Sequence, residues 1–138
     1  MQNHDHEAWL KIAKEDLLVA KHLARSEFHS SATFHCQQAA EKVLKGYLVF
    51  KGKPIVKTHD LVQLVELCMC IDQSFSKLFN AADFVNPLAI KFRYPSEFEI
   101  PDQAETDMAI AMARKIMTFV LKKISEPDSG QTNLFSDS

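Results

Sequence analysis

The chain has 138 residues, 46% of them hydrophobic, with only three glycines, five prolines and a formal charge of −2. That is enough for one domain with its own core, and too balanced in charge for nucleic acid or membrane to be attracted globally. No apolar run reaches the length needed to cross a bilayer, so no membrane partner is expected.

Helix one is expected over about 5–25. Leu10, Ala13, Leu17, Ala20 and Ala24 form its apolar stripe, with Trp9 and Ile12 widening it. The start Met1-Gln2-Asn3-His4-Asp5-His6 lacks the basic head and apolar centre of a secretory signal. His4 and His6 flank Asp5 at an end expected to fray, and no metal site is assigned to them. A turn at 26–31 leads to helix two over about 32–50, with Ser30 or Ser31 as its cap. Cys36, Ala40, Val43, Tyr47 and Phe50 share a face of helix two. The small residues Ala39 and Gly46 would allow close approach of another helix.

Gly52 and Pro54 end helix two. Thr58 is the expected N-cap of helix three, which runs to about 71 with Asp60 in its first turn. Helix four is expected from about 74 and breaks at Asn86-Pro87. Helix five, about 102–125, carries Ala109, Met112, Ala113, Ile116, Phe119, Val120 and Ile124 on one stripe. The polar segment 126–138, with Pro127 and Gly130, reads as a disordered tail after a domain spanning 1–125. The three cysteines, Cys36, Cys68 and Cys70, lie inside helices and are odd in number, which fits a reducing cytoplasm better than a disulfide framework. Cys68 and Cys70, two apart on a helix, point in different directions.

Three blocks carry the main signal. They are Phe34-His35-Cys36-Gln37-Gln38-Ala39-Ala40-Glu41-Lys42-Val43-Leu44-Lys45, then Lys57-Thr58-His59-Asp60-Leu61, then Phe92-Arg93-Tyr94-Pro95. In that order, in a small helical chain, they resemble the HEPN domain, a family of five-helix domains linked to nucleotides and RNA. The resemblance covers roughly 9–124. It implies an all-α, five-helix up-and-down-type bundle, and a homodimer.

Many HEPN proteins are ribonucleases that use an Arg and a following His with four to six residues between them, the His as proton acceptor and the Arg as a cation for the developing phosphorane charge. No such pair occurs here. His59 is the last histidine, so none follows Arg93; Arg25 and His29 come nearest, one residue too close. The chain instead looks like the small HEPN proteins with an Arg-Tyr-Pro element and no nuclease pair. That likeness implies a minimal nucleotidyltransferase as partner, in a two-component, toxin–antitoxin-like system. Neither RNA cleavage nor a cofactor is expected. A ribonuclease toxin with a non-standard site is the enzyme alternative.

The candidate nucleotide site follows from charge and shape. Arg93 suits bidentate phosphate binding and Tyr94 suits stacking on a base. Lys42, Lys45, Lys51, Lys53 and Lys57 fill a window without acids, and Lys42 and Lys45 are the candidate phosphate ligands from it. His35, Gln38 and Lys42 follow one another at single-turn spacing, and Gln38 and His59 complete the candidate set. Against this stand ordinary roles: ion pairs for Arg93, helix-end solvation for the lysines and a structural position for His59.

In the tail, Gln131-Thr132-Asn133-Leu134-Phe135 resembles the pentapeptide by which bacterial proteins dock on the DNA sliding clamp. Leu134 and Phe135 would be its apolar anchors and Gln131 its polar one. Thr132 stands where that motif usually has a hydrophobic residue. A sliding-clamp adaptor is thus a third reading.

Overall fold

The computed structural model describes residues 2–89 and 100–126, and within these the protein is an all-α bundle of five helices without strands. They are α1 (Gln2–Ala24), α2 (His29–Phe50), α3 (Leu61–Met69), α4 (Phe79–Val85) and α5 (Gln103–Ser125). A 3₁₀ segment, Gln73–Leu78, joins α3 to α4.

α1 and α2 form a long antiparallel hairpin, and α5 packs alongside both. The α1 stripe of Leu10, Ala13, Leu17, Ala20 and Ala24 is buried, as its spacing predicts. Trp9 is only half-buried and Ile12 is 45% exposed, so neither widens the stripe. α2 is the central element, covered on several sides, with Cys36, Ala40, Val43 and Tyr47 inside. Tyr47, Phe75 and Phe119 pack ring against ring, tilted and then edge-on, at 4.5 and 5.0 Å between centroids, tying α2, the 3₁₀ segment and α5 together.

Ala39 is fully buried, and a Cβ placed on Gly46 would lie 3.0 Å from Leu10 Cδ2 and 3.2 Å from Trp9 Cβ. The close approach that Gly46 permits is therefore made by α1 of the same chain, not by a second copy. His6 likewise is not frayed. It is buried, with its ring edge-on to Phe50 at 4.9 Å.

The helix ends explain the connections. α2 starts three residues earlier than its sequence suggests, after Phe28, and no side chain caps it; Ser30 and Ser31 lie inside the helix. It stops in a Schellman turn: Lys53 N–H donates to Leu48 O and Gly52 N–H to Val49 O, with Gly52 at φ 77°, a conformation glycine adopts freely. Asp60, not Thr58, caps α3, accepting from Val62 N–H and Gln63 N–H. Thr58 Oγ1 sits one step outside, accepting from Asp60 N–H and donating to Gln63 Oε1. α4 stops before Asn86-Pro87, as expected. α5 opens with a capping box between Asp102 and Glu105.

Candidate functional site

Two carboxylates organise the polar side chains of α2. Asp16, reaching from α1, takes His35 Nδ1 at 3.0 Å and Lys42 Nζ at 2.8 Å. Glu41, one turn before Lys45 on α2 itself, takes Lys45 Nζ at 2.9 Å, His59 Nδ1 at 3.0 Å and Gln37 Nε2 at 3.2 Å. Gln37 also donates to the His59 carbonyl at 3.2 Å and accepts from Gln38 Nε2 at 2.7 Å. The cluster thus ties α2 to the segment that leads into α3.

The electrostatics follow from this packing. Burial pushes the Glu41 carboxyl up, but the hydrogen bonds from Lys45, His59 and Gln37 and the charge of Lys45 outweigh it. The group is held below the usual carboxylate range. An ionised carboxylate only accepts, so His59 presents Nδ1–H to it and its Nε2 faces outward on a side chain 73% exposed.

Beside this cluster lies a cavity of about 360 Å³ lined by Gln37, Gln38, Glu41, His59, Asp60 and Asn86, with Pro87 and Ala89. Asn86 binds it to the helix frame, its Nδ2 donating to Asp60 Oδ1 and its Oδ1 accepting from Leu61 N–H. Among the described residues, Gln38 Oε1, Asp60 Oδ2 and His59 Nε2 keep free hydrogen-bonding capacity. The lining is amide- and carboxylate-rich, and among the described residues the ammonium beside it, that of Lys45, already belongs to Glu41. Such walls suit hydrogen-bond donors on a neutral ring or sugar, and they repel a bare phosphate.

The expected basic edge is accordingly disarmed. Lys45 is buried against Glu41, with its Nζ 5.9 Å from the Trp9 ring centroid, and Lys42 is paired with Asp16. The window 42–57 contains no acid, but Glu41 sits immediately before it at the i,i+4 spacing that forms ion pairs. His35 and Lys42 turn to α1, leaving Gln38 as the member of that polar edge that reaches the cavity. Of the candidate set, the structure brings together Gln38 and His59. Sequence reasoning missed Gln37, Glu41, Asp60 and Asn86. Arg93 and Tyr94, and the tail residues Gln131, Leu134 and Phe135, lie outside the described residues.

The remaining titratable side chains carry little chemistry of this kind. Burial pushes the Cys36 and Cys68 thiols up to about 12, which makes them inert at neutral pH. Among the described residues no group of three or more His, Cys, Asp or Glu could hold a metal ion. No described helix is long and apolar enough to cross a membrane.

The sequence model of the HEPN domain family matches residues 6–124 of this chain. Two solved structures resemble it over most of its length. TT1696 from Thermus thermophilus is 27% identical, with a TM-score of 0.75, over 86% of this chain and 97% of that one. ST0689, described as an archaeal HEPN homologue, is 26% identical, with a TM-score of 0.72, over 87% and 98%. No curated protein matches the chain.

Proposed function

The chain belongs to the HEPN domain family, and from that premise we propose that it is a binding and interaction protein, not a ribonuclease acting alone. In this reading it dimerises, pairs with a minimal nucleotidyltransferase, and contributes a nucleotide site at the Glu41 cavity.

The observation that carries the proposal is the cavity itself. Its volume suits a nucleoside, and Gln38, His59 and Asp60 offer free polar groups on a floor fixed by Glu41 and Gln37. Amide and carboxylate groups of this kind read base edges and ribose hydroxyls. The phosphates then need a cation from elsewhere. Arg93 follows Ala89, on the cavity wall, by four chain steps, a reach of at most about 14 Å. In this proposal Arg93 grips phosphate and Tyr94 stacks, while Lys42 and Lys45 have no part.

Calorimetry with ATP and GTP tests it, comparing wild type with Gln38→Ala, His59→Ala and Arg93→Ala. Loss of affinity in all three, with unchanged melting temperature, is the expected result. Equal affinity in every variant would remove the cavity from the function. The partner is tested by co-expression with a minimal nucleotidyltransferase encoded beside this chain, followed by sizing of the complex.

A further inference from the structure

An aliphatic groove opens between the turn that follows α2 and the C-terminal end of α3. Leu48, Ile55, Val56, Leu67 and Ile71 line it, and its volume is about 480 Å³, within the range of ligand pockets. Lys53 is the one charged side chain on the lining among the described residues, and it shares in no ion pair there. The groove is open to solvent: Ile55 is 62% exposed, and Cys70, also on the lining, is exposed. It has no lining residue in common with the Glu41 cavity.

The end of α5 is pinned next to this groove. Lys123 Nζ lies 3.0 Å from Asp72 Oδ2, and Asp72 is the residue after Ile71. The Asp72 carboxylate is itself fixed by Ser74, accepting from its N–H at 3.0 Å and its hydroxyl at 2.6 Å. The chain therefore passes Glu126 one ion pair away from the groove wall. Leu134 follows Glu126 by eight steps, a reach of at most about 29 Å, so the segment beyond α5 is long enough to turn back.

The chemistry of that segment matches the groove. Between 126 and 138 the large apolar residues are the adjacent pair Leu134 and Phe135, and the charges are Glu126, Asp128 and Asp137, with no cation. An aliphatic hollow with a lone lysine complements an apolar pair followed by an acid. The cleft that contains Ile124 is a poorer match, because Glu7 and Glu15 stand on its walls and repel an acidic segment. Tethering also supplies an effective concentration of about a millimolar, so a contact too weak to hold a free peptide is populated within one chain.

We propose that the groove between the α2–α3 turn and α3 is the intramolecular seat of Leu134 and Phe135, with Asp137 against Lys53. The seated pair is withheld from other proteins, and the aliphatic walls are covered with it. Any partner that reads Leu134 and Phe135 has to compete with the groove, which makes the contact autoinhibitory. This surface does not depend on the nucleotide reading.

Methyl NMR on the full chain tests it. Wild type should show NOEs from the Phe135 ring to the Ile55, Val56 and Ile71 methyls, and Leu134→Ser/Phe135→Ser should shift those methyl signals. Ile55→Asp changes an exposed side chain, so the fold should hold while the Phe135 NOEs disappear. Labelling of Cys70 by DTNB should be several-fold faster in Leu134→Ser/Phe135→Ser than in wild type. A mixture of ¹³C-labelled and unlabelled chains, read by isotope-filtered NOEs, should show none of these contacts between copies. Four results would each overturn the proposal: wild-type amides of 131–137 as mobile as in Ile55→Asp, Phe135 NOEs to Leu10 or Ile124 instead, the groove contacts appearing between copies, or equal Cys70 rates in the two proteins.

Discussion

Glu41 and Lys45, one turn apart on α2, form an ion pair at 2.9 Å in which both side chains are only 7% exposed. Removing one partner of such a pair leaves the other buried and uncompensated, which costs about 3–5 kcal/mol, while replacing both by apolar side chains of similar volume is near neutral. Glu41→Gln should therefore lower the melting temperature strongly, and Glu41→Leu/Lys45→Met should recover most of the loss. Thermal denaturation followed by circular dichroism checks both. A mild effect of Glu41→Gln would mean that Lys45 escapes to solvent past Trp9.

The same pair sets a pH dependence. The folded Glu41 carboxyl titrates below its ordinary value of 4.5. The unfolded chain then binds the proton first as pH falls, so Glu41 stabilises the fold above about pH 4.5 and that contribution is lost as pH drops through the depressed folded value. Asp72 acts with the same sign, because Ser74 and Lys123 outweigh its burial. Denaturant melts between about pH 6 and about pH 3 should show a stability loss in wild type that is smaller in Glu41→Leu/Lys45→Met. Equal slopes in the two proteins would show that Glu41 is not the titrating group.

The bundle is legible in the sequence because its helices are long and their stripes periodic; Leu10, Leu17, Val43, Ile116 and Val120 all fall in the core where their spacing puts them. The site is less legible, for identifiable reasons. A lysine window taken by itself leaves out Glu41, the residue immediately before it, so an internal ion pair passes for a phosphate edge. Asp60 and Thr58 are both good capping residues two positions apart, and only the folded backbone, with Val62 N–H and Gln63 N–H donating to Asp60, shows which one starts α3. Ala39 and Gly46 announce a close helix contact, but spacing alone does not say whether the neighbouring helix belongs to the same chain.

Gly46 gives a prediction independent of the site. Its missing Cβ is the space that Leu10 and Trp9 occupy, so a branched side chain there must push α1 away. Gly46→Val should destabilise by about 1–3 kcal/mol, the usual cost of overpacking, despite the better helix propensity of valine over glycine. Chemical denaturation measures it. A stabilised variant would show that the α1/α2 hairpin yields easily at this point.

The thiols differ sharply in access. Cys36 and Cys68 are buried and Cys70 is exposed. A thiol reagent such as DTNB, used at about pH 8 where an exposed thiol is partly ionised, should label one cysteine per folded chain within minutes and all three after denaturation. Cys70→Ser should abolish the rapid phase. Fast labelling of a second thiol would reveal local opening around α3.

The purified protein should leave RNA intact. The family chemistry needs a proton acceptor beside a cation at the scissile phosphate. His35 and His59 each have one ring nitrogen committed to a carboxylate, Asp16 and Glu41 respectively, and no histidine follows Arg93 in the sequence. In the cleft between α1 and α5, Arg25 stands four residues before His29, the spacing nearest to that of the family's pair. His29 Nε2 is engaged by Gln103 Oε1, and Gln103 itself lines the cleft. Mixed RNA incubated with re-purified protein, with and without divalent metal, should therefore show no new ends on a sequencing gel. Cleavage that survives purification and disappears in His29→Ala would place a catalytic pair in that cleft; disappearance in His59→Ala would place it at the Glu41 cavity. Either result would replace the binding-protein reading with an enzymatic one.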